Sequence, residues 1–279
     1  MPWYENRSGE RLWYEDEGEG CPVVLLHGWC MSSAVWRYQY GGLAGSIHAP
    51  VRLIAPDLRG HGRSRGISGQ MNFAVFATDL VDLFDSLELE RVVLVGWSMG
   101  AQIALQSCAG LSGRLAGMVL VSATPRFTAS VDFPFGLADK EAGGMRLKVQ
   151  RNTRRALDGF YTLLFAEGEL ESHLAAADIR QLLASIPSPD TAAVLEALDA
   201  LVRTDMRRLL ATITIPTMIL NGALDRICLP EASSYLKEHI PGALQVVFPD
   251  CGHAPFLTRS DQFNAGIIRF ARSISGKNA

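Results

Sequence analysis

Hydrophobic and polar positions along the chain follow two regimes. Short continuous apolar runs recur at Pro22–Leu26, Val51–Pro56, Arg91–Val95, Met118–Val121, Thr217–Leu220 and Leu244–Phe248. Runs of this length without polar alternation predict strands buried on both faces, as in a parallel sheet. Arg11 to Glu15 alternates instead, which predicts an edge strand, and Gly18 to Gly20 closes it as a turn. Between the early runs the period changes. Phe73, Ala77, Leu80, Val81, Phe84 and Leu87 recur at spacings of three and four, so one helix face is apolar. Ala101 to Ala109, rich in Ala, Leu and Gln, predicts a second helix.

This strand–helix alternation predicts a doubly wound α/β sheet. It breaks after Val121. From Ser122 to Leu210 only helical pattern appears, at Met145–Phe165, Ile179–Ile186 and Ala192–Leu210, before strands resume. The expected organisation is therefore a first core part at 1–121, a helical cap at 122–210 and a second core part at 211–279.

Composition narrows the function classes. Of 279 residues, 48% are hydrophobic and 20% charged, and the net charge is −3, which favours neither nucleic acid nor an anionic membrane surface as partner. No apolar run approaches the about 18 residues of a membrane helix, and Met1 to Gly20 is polar and acidic, unlike a secretion signal. The five cysteines are odd in number and none are at C-x-x-C spacing, so no disulfide framework and a reducing, cytoplasmic setting are expected.

Gly96-Trp97-Ser98-Met99-Gly100 has the form G-x-S-x-G. Its placement, after one buried run and before a helix, is the strand–turn–helix that holds a serine hydroxyl exposed on a strained turn. A serine hydroxyl needs a base. The histidines are His27, His48, His61, His173, His239 and His253, and only His253 follows the last strand. In such folds the order is Ser, acid, His, which assigns the acid to Asp225 in Asn221-Gly222-Ala223-Leu224-Asp225. Asp199 and Asp205 fall in the cap, and Asp250 is too near His253 in sequence. The expected catalytic set is Ser98, Asp225 and His253. Backbone N–H groups of Met99 and Trp29 are the expected oxyanion donors. His27 reads as a histidine that holds its loop, and Asp57 to Ser64 as a structural loop.

No His pair at i, i+4 and no Cys/His cluster suggests a metal, and no phosphate-binding glycine motif suggests a nucleotide, so no cofactor is expected. Trp29, Trp97, Phe127 and Phe160 are the expected substrate-binding residues, with Met99, Phe133, Phe135 and Phe165 as further candidates around the site and cap. Lys140 to Arg155 carries six cations against one acid. Lys148, Arg151 and Arg155 would share one helix face, either as a solvated surface or, with Arg154, as a dock for an acidic partner.

With these motifs, the chain resembles the α/β-hydrolases with a helical cap: a mostly parallel central sheet flanked by helices. More narrowly it resembles the pimeloyl-acyl-carrier-protein methyl ester esterases of biotin synthesis. The shared stretches are Leu26-His27-Gly28-Trp29, Val35-Trp36, Gly62 to Gly66, Gly96 to Gly100, Ser122 to Phe127 and Gly252-His253-Ala254-Pro255-Phe256. The resemblance implies hydrolysis of a methyl ester on an acyl chain borne by an acidic acyl carrier protein that docks on cap arginines. Glu167, Glu169, Glu171 and Asp178 would give the far half of the cap an opposing acidic face. The alternatives are another ester, lactone or related reaction on the same three residues, or a non-catalytic ligand receptor.

Overall fold

The computed structural model describes residues 2–44, 50–67 and 69–275. Eight strands form one sheet in the order β1-β2-β4-β3-β5-β6-β7-β8. In chain order they are β1 (Trp3–Glu5), β2 (Arg11–Gly18), β3 (Cys21–Leu26), β4 (Val51–Pro56), β5 (Val92–Trp97), β6 (Leu115–Val121), β7 (Thr217–Gly222) and β8 (Leu244–Phe248). The first two pairings, β1 with β2 and β2 with β4, are antiparallel. From β4 through β3, β5, β6 and β7 to β8 every pairing is parallel.

The helices include α1 (Arg37–Gln39), α2 (Phe73–Ser86), α3 (Met99–Leu111), α4 (Asp139–Arg151), α5 (Thr153–Thr162), α6 (Ala176–Ser185), α7 (Thr191–Arg203), α8 (Pro230–His239), α9 (Pro255–Thr258) and α10 (Ser260–Ser275). The helical segment α4 to α7 lies between β6 and β7, two strands that pair directly with each other. The chain therefore leaves the sheet at Val121 and returns to the neighbouring position at Thr217.

Two strand expectations change. Arg11–Glu15 is the start of β2, which is not the edge, because the short β1 pairs outside it. β8 is not buried on both faces. It is the last strand, and Leu244, Val246 and Val247 are exposed; apolar runs alone do not tell an edge from a centre. The third difference is in the basic stretch. Met145–Phe165 is not one helix, because Asn152 (φ −163°, ψ 96°) ends α4 and its side chain caps α5 by accepting from the Arg155 N–H. Arg155 therefore does not share a helix face with Lys148 and Arg151. Asn favours such a cap because its amide oxygen satisfies an orphan N–H of the first turn.

The loops at the C-terminal ends of β3 and β4 lock together through buried polar groups. Asp57 accepts from the Ser33 N–H (2.6 Å) and the Arg63 N–H (2.7 Å). Arg59 makes a two-pronged ion pair with Asp79 of α2, and Asp79 also accepts from Asn6. His27 donates from Nδ1 to the Gly28 carbonyl and accepts the Leu58 N–H on Nε2 (3.0 Å). The His27 and His61 rings lie 5.3 Å apart, both fully buried. These contacts give Asp57 to Ser64 and His27 structural work. All five cysteines are free, and among the described residues no helix is long and apolar enough to cross a membrane.

Burial pushes His27 down to about 4 and His61, with His27 beside it, to about 3, against 6.5 for a free imidazole. Both stay neutral in the native protein while the unfolded chain takes up protons below pH ~6.5. The stability they contribute is therefore complete above that pH and is lost as pH falls toward 4. Urea unfolding between pH 6.5 and 4 should show a loss of up to about 1.4 kcal/mol per pH unit for each histidine. His61→Gln should flatten that slope relative to the wild type; an unchanged slope would mean His61 does not titrate this way.

Candidate active site

Ser98 sits where β5 ends and α3 begins, with φ 55° and ψ −116°. A left-handed backbone at a non-glycine residue costs of order 1–3 kcal/mol and persists only where its surroundings enforce it. The enforcement comes from close backbone approach. A Cβ on Gly100 would lie 2.4 Å from the Leu26 carbonyl oxygen, and one on Gly96 2.4 Å from the Gly100 carbonyl oxygen. Only glycine lets the first turn of α3 pack this tightly on the end of β3. The serine is thereby raised from the strand end, partly exposed, at the start of a helix whose first N–H groups have no intrahelical acceptor.

His253 and Asp225 meet across 28 positions of sequence: His253 Nδ1 donates to Asp225 Oδ2 over 2.8 Å, both side chains buried. The other carboxylate oxygen of Asp225 accepts the N–H groups of Ile227 (2.8 Å) and Cys228 (3.0 Å), so its charge is held without a cation. Nε2 of His253 is buried and has no hydrogen-bond partner among the described residues. Nucleophile-to-base bonds of this kind are often unmade without substrate. Burial and the neighbouring Asp225 carboxylate push the Cys228 thiol well above its ordinary pKa.

The remaining acids are engaged elsewhere: Asp199 with Arg146, Asp205 with Arg126 and Arg207. Asp250 is exposed. His173 and His239 serve local backbone, and His48 lies outside the described residues. The N–H groups of Trp29 and Met99 have no acceptor among the described residues, which leaves both able to serve an oxyanion.

A cavity of about 590 Å³ opens over Ser98, a size usual for small-molecule sites. Its apolar walls come from Trp29, Phe127 and Phe160, joined by Met145, Leu198 and Ile227. Trp29 is fixed by its indole N–H to the Val194 carbonyl of α7 (3.0 Å) and stands edge-on to Phe160. Lys140, Lys148 and Arg226 border the same cavity, with Glu141. A second cavity, about 640 Å³, lies on the other side of α5 and does not reach Ser98; it shares only Arg226 with the first.

Several expected contacts are not made. Trp97 is not a wall of the Ser98 cavity. Its side chain points into the core against Trp36 and Phe256, and its indole N–H donates to the His253 carbonyl (2.8 Å). Met99 is fully buried behind the serine. Phe133 and Phe135 pack on Tyr235 of α8, and Phe165 borders the second cavity. Lys148 reaches the Ser98 cavity, whereas Arg151, Arg154 and Arg155 are exposed outside it, Arg154 paired with Asp158. Glu169 is not part of an acidic surface: it is buried beside the His253 loop, while Glu167, Glu171 and Asp178 are exposed. Neither Cys228, Arg226 nor Glu169 carries a local signal that marks it for the site; each is brought there by loop packing.

Comparison with known proteins agrees with the fold. A family profile described as alpha/beta hydrolase fold matches residues 22–260. A protein named pimeloyl-[acyl-carrier protein] methyl ester esterase from Nitrosospira multiformis is 31% identical over 265 residues, 94% of this chain and 98% of that one. An esterase from Exiguobacterium antarcticum superposes with a TM-score of 0.88 at 26% identity, covering 97% of this chain and 98% of that one. A bromoperoxidase from Bacillus anthracis superposes with a TM-score of 0.87 at 29% identity, over 97% and 99% of the two chains.

The backbone packing at the serine turn yields a direct test. Gly100→Ala should cost about 1–3 kcal/mol of stability, the usual penalty of overpacking, because its methyl meets a main-chain carbonyl that cannot rotate away. Urea unfolding reads this; a change below about 0.5 kcal/mol would show that the turn has room.

Proposed function

The chain belongs to the alpha/beta hydrolase fold family and is a carboxylic ester hydrolase, and from there we propose that it works through Ser98, His253 and Asp225 on an acyl methyl ester, the acyl chain borne by an acyl carrier protein. The observation that carries the mechanism is the His253–Asp225 bond at 2.8 Å, with Nε2 left free behind a strained serine. Ser98 Oγ attacks the ester carbonyl as Nε2 takes its proton. Negative charge on the carbonyl oxygen is met by the Met99 and Trp29 N–H groups. The tetrahedral intermediate collapses, and protonated His253 gives the proton to the departing methanol. Water, deprotonated by the same nitrogen, then clears the acyl-enzyme and regenerates Ser98. Asp225 holds the imidazole in the right tautomer and balances its positive charge.

Residues 122–210 act as the cap that sets substrate shape. Its apolar contribution over Ser98, from Phe127, Met145, Phe160 and Leu198, suits a methylene chain. The carrier reading rests on the relative's name and on charge: among the described residues Lys148, Arg151 and Arg155 have no ion-pair partner, Lys140 and Lys148 border the cavity, and Arg151 and Arg155 are exposed in the last turn of α4 and the first turn of α5. An acidic carrier would be steered there. Cytoplasmic location is part of this reading.

Two measurements test the two levels separately. Ser98→Ala should lower kcat for a p-nitrophenyl ester by at least about 10³-fold and abolish labelling by a fluorophosphonate; retained turnover would refute the serine mechanism. Then kcat/KM is compared for pimeloyl-acyl-carrier-protein methyl ester and free dimethyl pimelate. A preference of about a hundredfold for the carrier-bound ester, about 2.7 kcal/mol, is expected, and Arg151→Glu with Arg155→Glu should remove most of it while leaving the free ester unaffected. Equal rates on both substrates would leave an esterase for small esters.

A further inference from the structure

The backbone N–H groups of Gly252, His253 and Ala254 are all tied to one short segment of the cap. The His253 N–H donates to the Leu164 carbonyl (2.8 Å), and the Ala254 N–H reaches the same oxygen (3.3 Å). Glu169, five residues further along the same segment, does the rest. Its Oε2 accepts the Gly252 N–H and the Ala166 N–H, both at 2.7 Å. Its Oε1 accepts the Thr258 hydroxyl at 2.5 Å, from α9. Glu169 is 6% exposed and has no Lys or Arg ion pair among the described residues. These three donors, one from the cap and two from the histidine loop, fill its lone pairs. A Cβ on Gly252 would lie 2.7 Å from the Ala166 nitrogen and 2.8 Å from the Leu164 oxygen, so the two backbones touch with no side chain between them.

A buried carboxylate is costly unless its lone pairs are filled. Here filling them requires the histidine loop and the cap segment to keep one fixed separation. Asp225 orients the His253 ring from the core side, and the core holds main-chain carbonyls through the Trp97 indole at His253, the Gln39 amide at Phe256 and the Leu224 N–H at Cys251, whereas the N–H groups of Gly252, His253 and Ala254 all go to the cap. We infer that Glu169 is a positioning residue for ester hydrolysis: it clamps the Gly252–Thr258 loop to the cap and so sets the height of the His253 imidazole over Ser98. The inference rests on the reading of His253 as the base. It also means that the cap segment 164–169 does not lift during turnover, since lifting it would drag His253 away from Ser98.

The test is steady-state kinetics on p-nitrophenyl butyrate, with reactive serines counted by fluorophosphonate titration so that only folded enzyme is compared. Glu169→Ala should lower kcat per titrated site by about 10–100-fold with KM within about twofold, and slow fluorophosphonate labelling to match. Glu169→Gln should recover to within a few-fold of wild type, because its amide oxygen can accept both N–H groups while its NH₂ donates to Thr258. Glu171→Gln, at an exposed acid of the same loop, serves as the control and should change nothing. If Glu169→Ala lowers yield and melting temperature but leaves kcat per site intact, the role is only structural and the inference falls. It falls equally if Glu169→Gln is as slow as Glu169→Ala. Should Glu169→Ala not fold, Thr258→Val removes one of the three bonds and must lower kcat, by a smaller factor, for the clamp to stand. Ser98→Ala and His253→Ala run alongside. Their inactivity with a fully active Glu169→Ala would sink the clamp alone, whereas their activity would sink the mechanism it depends on.

Discussion

The backbone at Ser98 is the constraint on which the site is built. A non-glycine residue at φ 55° is unfavourable by itself, and it survives because Gly96 and Gly100 let α3 start in direct contact with the ends of β3 and β5. That contact depends in turn on the sheet. β5 lies between β3 and β6, so the strained turn is braced on both sides by parallel neighbours whose own loops leave from the same edge. The loop after β3 carries Trp29, the loop after β7 carries Asp225, and the loop after β8 carries His253. Parallel pairing delivers all of them to one edge, as it does in open α/β sheets generally.

Charge within this edge is managed by main-chain groups more than by ion pairs. Asp225, Asp57 and Glu169 are each buried, and each is satisfied by backbone N–H groups of loops that must be held in register. Hydrogen bonds to a charged group contribute about 1.5–3 kcal/mol each, and leaving such a group unmet costs more. A carboxylate at the crossing of two loops therefore fixes their relative position more firmly than apolar contact, which tolerates sliding. The neutral pair His27 and His61 does similar work beneath the loop after β3, on condition that it stays unprotonated.

The cap meets the core in two ways. Its helices α4, α5 and α7 provide apolar walls over Ser98. The segment after α5 is different in kind, since its main chain bonds directly to the histidine loop. Cap and core share one polar seam there, and the fold brings together residues 83 and 89 positions apart to make it. The similarity to an esterase and to a bromoperoxidase shows that the scaffold does not by itself select a reaction. Selection is left to the side chains that line the cavity over Ser98.

What the sequence determined by itself is whatever is encoded locally. Strand periodicity placed β3 to β7 within a few residues, because a strand buried on both faces must be apolar throughout. The turn at Ser98 was legible because its glycines are demanded by contacts a few residues away. Asp225 and His253 followed from chain order, and the structure brings them to 2.8 Å. What only the tertiary structure decided is whatever depends on partners distant in sequence. The outer position of β8 and the pairing of β1 outside β2 are properties of strand order, to which apolar runs are blind. The break at Asn152, which separates Arg155 from Lys148 and Arg151, turned on a single side-chain cap inside a helical pattern. Trp97 packs inward against Trp36 and against Phe256 of α9, a partner distant in sequence. Glu169 reads in sequence as one more surface acid among Glu167 and Glu171. Its burial exists only because Gly252 and Thr258, far along the chain, supply the donors that make burying a carboxylate tolerable.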